Sequence, residues 1–311
     1  MMRARDFLAL AAVLVASLAA PSQSQVPARP VTASPTSTDI FLARLFDGGD
    51  SLRLSAAQNI TRRPGYDNQP AFLTDGSALL YTVIDSSGQA DIWRYELRTR
   101  RHVRVTNTPE SEYSPTFMPG SRRFSVVRVE RDSTQRLWSF RLDGQDPQVV
   151  LPSIAPVGYH AWLDQFRLAL YVLGTATSPS TLHVVRRDGS EDDVRASRIG
   201  RAVQRVPAQN WYSYVQLDST KTPWVVAQPF EGGPISRLVR LPEDNEFYAW
   251  TPDGTLLSAT KGTIVRWNGV SGEESAWQPV AMAAPAPAKN ISRLAVSPDG
   301  RWLAFVGEPV P

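Results

Sequence analysis

The chain has 311 residues, 42% of them hydrophobic and 20% charged, with 25 Pro, 19 Gly, nine Trp and no Cys. That supplies a sizeable core and excludes wholesale disorder, and the lack of cysteine excludes a disulfide framework, a cysteine nucleophile and a thiolate zinc site. Lys plus Arg number 33 against 30 Asp plus Glu, for a net charge of +3, so nucleic acid is not an expected partner.

At the N-terminus, Arg3 and Arg5 precede an apolar stretch over residues 7–20, shorter than the ~20 residues a membrane-spanning helix needs. Ser22-Gln23-Ser24 then offers small residues at the spacing a signal peptidase reads. Residues 1–24 are therefore predicted to be a signal peptide, with an uncleaved anchor as the alternative. Either way the body lies outside the cytoplasm, periplasmic or secreted, and with cleavage it makes no direct membrane span. Residues 25–38 are Pro, Ser, Thr, Ala and Val with a single Gln and a single Arg, a composition that reads as a disordered tether.

From residue 39 the chain repeats itself. Asn59-Ile60-Thr61 leads to Pro70-Ala71-Phe72-Leu73-Thr74-Asp75-Gly76, then Leu79-Leu80-Tyr81, then Asp91-Ile92-Trp93, and the next unit follows the same order through Phe117-Met118-Pro119-Gly120 and Leu137-Trp138. The large apolar residue before each turn recurs at Phe72, Phe117, Trp162, Val206, Trp250 and Val296, in steps of 45, 45, 44, 44 and 46. Each unit carries about four short runs of β-branched and aromatic residues, separated by turns such as Asp75-Gly76, Asp143-Gly144 and Asp253-Gly254, where Asp-Gly suits a tight turn. Four antiparallel strands per repeat of this length describe a propeller blade.

The prediction is an all-β, six-bladed β-propeller over residues 39–311. Its last repeat holds only two strands, around residues 294–296 and 302–305, before the chain stops. Asp39-Ile40-Phe41-Leu42 copies Asp91-Ile92-Trp93-Arg94, so two N-terminal strands are expected to complete that blade and remove two open edges at once.

The order Asn-Ile-Thr, then Pro-x-Phe/Trp-x-Pro-Asp-Gly, then Asp-Ile-Trp resembles the TolB-like propeller repeat, most closely at Trp250-Thr251-Pro252-Asp253-Gly254 and Val296-Ser297-Pro298-Asp299-Gly300. Three units depart from it: Pro119-Gly120 lacks the Asp, Asp164-Gln165 replaces the turn, and Pro207-Ala208 has no Gly. The resemblance covers the propeller alone. The α/β domain that precedes the propeller in TolB itself is not expected, so the likeness is to a relative and not to TolB proper.

No G-x-S-x-G elbow, H-E-x-x-H pair or phosphate-cradling Gly loop occurs, and no cofactor or metal is expected. Of the three histidines, His183 reads as a packed strand residue, His102 as part of a solvated outer hairpin, and His160 as a candidate channel group. Segments entering the innermost strands should converge on one mouth of the central channel. They place Tyr66, Asp67, Glu112, Tyr113, Tyr159, His160, Arg205, Glu246, Tyr248 and Arg293 there as candidate partner-binding residues, a mixture of Tyr, Arg and carboxylate typical of protein-binding surfaces. The expected function is a non-catalytic extracytoplasmic scaffold that docks a protein of the cell envelope, in the form of an accessory subunit of a membrane-anchored complex. The alternatives are a propeller enzyme, a metal-dependent lactonase or glycan-active enzyme for which Asp67, Glu112 and Glu246 would have to meet on the channel axis, or a propeller that binds a small ligand or glycan without chemistry.

Overall fold

The computed structural model describes residues 36–46, 51–267, 269 and 277–310. The signal peptide and residues 25–35 of the tether lie outside the described residues. The described residues are all-β, and none of them forms a helix long and apolar enough to cross a membrane.

Five sheets of four strands each follow one another along the chain. Blade 1 comprises Tyr66–Phe72, Ala78–Ile84, Ala90–Glu96 and Arg101–Arg104. Blade 2 comprises Ser111–Phe117, Arg123–Val129, Gln135–Arg141 and Gln148–Val149. Blade 3 runs from Val157–Trp162 through Arg167–Val172 and Thr181–Arg186 to Asp192–Ser197. Blade 4 runs from Ile199–Arg205 through Trp211–Leu217 and Pro223–Pro229 to Ser236–Arg240, and blade 5 from Ala249–Trp250 through Leu256–Thr260 and Thr263–Trp267 to Gln278–Pro279. Every pairing inside a blade is antiparallel between successive strands.

The expected sixth four-stranded blade is corrected to a composite sheet of seven strands. At its centre Asp39–Phe46 lies antiparallel to Trp302–Pro309, from Asp39 opposite Gly307 to Arg44 opposite Trp302. Leu294–Val296 flanks one side and Gln58–Asn59 the other, as the repeat pattern implied. The short strands Arg53–Leu54, Ala281–Met282 and Ala288–Lys289 add to it, the first two in parallel. The fold is thus a β-propeller whose two chain ends share one sheet.

Apolar side chains form one cluster at each junction between neighbouring sheets. Leu80, Ile92, Phe124 and Phe140 fill the junction of blades 1 and 2, while Ile40, Leu42, Leu79 and Val306 fill that of the composite sheet with blade 1. Strands of alternating pattern, apolar on both faces, are what such wedge packing requires. At the clasp Phe41 and Phe305 are fully buried and stack with ring centres 5.4 Å apart.

The turns are held by backbone conformations that suit glycine. Gly144 has φ of +80°, and a Cβ there would lie 1.8 Å from the Val105 carbonyl oxygen, so no side chain fits. The ordered fold also begins slightly earlier than the predicted tether end. The Thr38 N–H donates to the Gly65 carbonyl and its own carbonyl accepts from Asp67 N–H, each at 3.0 Å.

Candidate functional site

The innermost strand of each sheet runs beside a central cavity of about 160 Å³. Its wall takes Gln69 and Ser114 from blades 1 and 2, Tyr159 and His160 from blade 3, Arg201 from blade 4, Phe247 and Tyr248 beside blade 5, and Arg293 from the segment entering the composite sheet.

Two arginines and a set of aromatic rings dominate the mouth. The Arg293 guanidinium lies 4.2 Å from the Phe247 ring centre and 4.8 Å from that of Tyr159, and its Nη2 donates to Tyr159 Oη at 2.9 Å. Arg201 approaches the same Phe247 ring, at 5.4 Å, and pairs with the Glu246 carboxylate. Burial works against the Arg201 charge, but the bond and charge of Glu246, joined by smaller contributions from Tyr159, offset it and hold the guanidinium above its usual value. Tyr66 faces the same group: burial pushes its phenol up to about 12, with Arg293 pulling it down and Tyr159 and Tyr113 adding to the rise. The structure therefore brings together Tyr66, Tyr113, Tyr159, Glu246 and Arg293 of the predicted set, and adds Arg201 and Phe247.

Three other predicted residues lie elsewhere. Asp67 is fully buried where blade 1 meets the composite sheet, its carboxylate 2.7 Å from Arg63, with Asp39 and Thr61 as neighbours. Glu112 is the equivalent residue where blade 2 meets blade 1, paired with Arg128 at 3.1 Å and accepting from the Thr108 hydroxyl. Arg205 is exposed at the far end of its strand, with its guanidinium 5.8 Å from the Phe230 ring centre. Asp67, Glu112 and Glu246 thus sit in three separate ion pairs, and among the described residues no group of three or more His, Asp or Glu could hold a metal.

His160 and Tyr248 line the cavity, and His160 Nε2 and Tyr248 Oη bond to the blade behind. His160 Nε2 is 2.7 Å from Ser125 Oγ, and burial lowers the imidazole pKa to about 3, so the ring carries no charge. Tyr248 Oη donates to Ser213 Oγ at 2.8 Å, and its side chain is buried. His183 is a half-buried strand residue bonded to Asp192, and His102 is exposed on the outer strand of blade 1, as expected, where its ring also packs on Tyr95 with Nδ1 2.7 Å from Tyr81 Oη.

Asp67 gives a pH prediction. Burial raises its carboxyl to about 6, the Arg63 charge and hydrogen bond only partly offsetting it. A raised carboxyl binds its proton more tightly in the folded chain than in the unfolded one, so its stabilising contribution is complete below about pH 4 and is lost as pH rises through about 6. Asp67→Asn removes this penalty, while Arg63 keeps its bonds to the Pro64, Tyr66 and Ile84 carbonyls. The variant is expected to gain about 1–3 kcal/mol at pH 8 relative to its difference from wild type at pH 4. Urea unfolding across that range checks it, and a difference that stays flat with pH refutes it.

No protein-family model matches the chain, and no curated protein does. Solved structures match its fold. A protein of Agrobacterium tumefaciens described as a TolB superposes with a TM-score of 0.64 at 13% identity, over 88% of this chain and 99% of that one. TolB from Acinetobacter baumannii gives 0.56 at 11% identity, over 87% of this chain and 65% of that one. A gluconolactonase from Xanthomonas campestris gives 0.61 at 10% identity, over 90% and 99%. These likenesses establish a β-propeller fold.

Proposed function

We propose that the chain is a non-catalytic protein-binding propeller of the cell envelope, exported by residues 1–24 to the periplasm and docking a protein partner at its channel mouth as an accessory subunit of a membrane-anchored complex. The observation that carries this reading is the cluster of Tyr66, Tyr113, Tyr159, Phe247, Arg201 and Arg293 at one mouth. Aromatic rings and arginines are the side chains that most often dominate protein–protein binding energy.

Two further features favour docking over chemistry. The cavity of about 160 Å³ is smaller than the ~300–1,000 Å³ usual for a small-molecule site. Tyr66, pushed up to about 12, and His160, lowered to about 3, are poorly suited to proton transfer near neutral pH, since a general acid or base works best near the operating pH. The propeller fold itself hosts both TolB proteins and a gluconolactonase, so it argues for neither.

The test is affinity capture from detergent-solubilised envelopes followed by mass spectrometry. Changing Tyr113, Tyr159 and Arg293 together to Ala is expected to reduce recovery of the wild-type partner by about tenfold or more, as loss of hot-spot residues does. Changing Phe166 and Arg187, on the turns at the opposite ends of the blade 3 strands, should leave recovery intact. Equal recovery with the mouth variant, or lactone hydrolysis lost on substituting Asp67, Glu112 or Glu246, would overturn the reading.

A further inference from the structure

We infer that the channel mouth is a carboxylate-binding site, with Arg293 as the primary cation and Arg201 as a second cation held in reserve by Glu246. The inference rests on the docking reading above and names the chemistry by which a partner would be recognised.

The charge balance at the mouth is the starting point. Glu246 occupies Arg201, whereas among the described residues no ion pair involves Arg293. Its hydrogen bond goes to the Tyr159 hydroxyl and not to a carboxylate. Tyr66 remains protonated at neutral pH, and His160, the nearest imidazole in the wall, is neutral. One net positive charge is thus left at the entrance of a polar cavity.

Geometry points to a carboxylate as the anion that balances it. A guanidinium is planar and presents parallel N–H donors that match the two oxygens of a carboxylate. Packing against Phe247 and Tyr159 holds the Arg293 plane and reduces the side-chain freedom lost on binding. A single uncompensated cation balances a monoanion, whereas a phosphate dianion would call for more charge. A cavity of about 160 Å³ has the volume of about five waters at ~30 Å³ each, room for a short acidic side chain or a chain terminus and little more.

Glu246 then acts as an internal competitor. It already supplies a carboxylate to Arg201 over the shared Phe247 ring, and an incoming carboxylate at Arg293 meets its repulsion. Removing that charge frees a second guanidinium beside the first. A variant at Glu246 should therefore bind more tightly, an outcome that general damage to the fold does not produce.

The experiment titrates blocked aspartate, N-acetylaspartate N-methylamide, into the full chain by NMR, with the blocked asparagine analogue, N-acetylglycine and inorganic phosphate as comparisons. The aspartate probe is expected to bind about tenfold more tightly than the asparagine analogue, the scale of one charge-assisted bidentate bond. Arg293→Gln should abolish that preference, Arg187→Gln on the opposite face should preserve it, and Glu246→Gln should tighten aspartate binding several-fold. The tighter of aspartate and N-acetylglycine identifies a side chain or a C-terminus as the source, and either supports the inference. Equal binding of aspartate and asparagine probes, tighter binding of phosphate, or equal loss in Arg187→Gln and Arg293→Gln overturns it. If the mouth variant loses its captured partner while wild type shows no carboxylate preference, the docking reading stands and this inference falls. If wild type shows the carboxylate preference and the mouth variant captures its partner unchanged, the carboxylate site stands and the docking reading falls.

Discussion

Phe305→Ala is expected to cost about 3–5 kcal/mol of stability, the range for emptying a buried aromatic site, and to open the ring at one place. Phe305 is fully buried, stacks on Phe41 and sits opposite it in the register of the two terminal strands. Those strands come from the two ends of the fold, so no covalent connection holds them together as a turn holds a hairpin. Once the stacked pair is gone, Asp39–Phe46 and Trp302–Pro309 can part and expose two unpaired edges, which invites aggregation. Phe124→Ala makes the control. Phe124 is equally buried and stacks on Phe140, with ring centres 5.7 Å apart, but it sits between strands joined by short turns. Both variants should lose similar equilibrium stability. Only Phe305→Ala should show early hydrogen exchange confined to Asp39–Phe46 and its partner strand. Exchange that remains slow there until global unfolding would show that the clasp is no weaker than any other junction.

That clasp was legible in the sequence because it reuses the repeat. Asp39-Ile40-Phe41-Leu42 copies the third strand of blade 1, and the polar anchor is copied with it: Asp91 pairs with Arg104 at 2.6 Å, while Asp39 accepts from Asn59 Nδ2 and the Thr61 hydroxyl. The register marks also landed where the spacing placed them. Phe72, Phe117, Trp162, Trp250 and Val296 each end an innermost strand, and Val206 follows Arg205 directly. Two of the extra strands of the composite sheet were not legible. Ala281–Met282 and Ala288–Lys289 are two residues long, too short to display the alternation by which a strand is recognised.

The site was half legible for a different reason. The segments that form the mouth follow from the propeller order, but which side chain of each segment faces the axis depends on β-bulges. Blades 1 and 2 shift register between Asn68 and Ala71 and between Tyr113 and Thr116, with Gln69 and Ser114 at φ of +59° and +53°. An extra residue in a strand changes the face that its side chains address. Asp67 and Glu112, upstream of the bulges, consequently enter the blade junctions. A shift between Ile199 and Val203 in blade 4 likewise leaves Arg201 at the mouth and Arg205 away from it. Nothing in composition or spacing marks these bulges, since Gln69 and Ser114 are not the glycines that usually signal positive φ.

Ser213→Ala is the second substitution with a large expected effect, about 2–4 kcal/mol for the loss of a single oxygen. Ser213 Oγ is buried on the second strand of blade 4 and accepts two bonds from the next inner strand, from Tyr248 Oη at 2.8 Å and Trp250 Nε1 at 2.9 Å. Two repeats earlier Ser125 Oγ meets His160 at 2.7 Å and accepts from Trp162 Nε1 at 2.8 Å, so one small hydroxyl joins neighbouring blades at both places. Alanine leaves both donors without an acceptor, and each stranded buried donor costs about 1–3 kcal/mol, far more than the bond contributes when made. The cost should accordingly vanish when the donors are removed too. In a Tyr248→Phe, Trp250→Phe background, Ser213→Ala is expected to change stability by less than about 1 kcal/mol. Urea unfolding of the single, double and triple variants measures the coupling. If the serine costs the same in both backgrounds, lost packing rather than stranded donors sets the loss, and the hydroxyl is not what locks blade to blade.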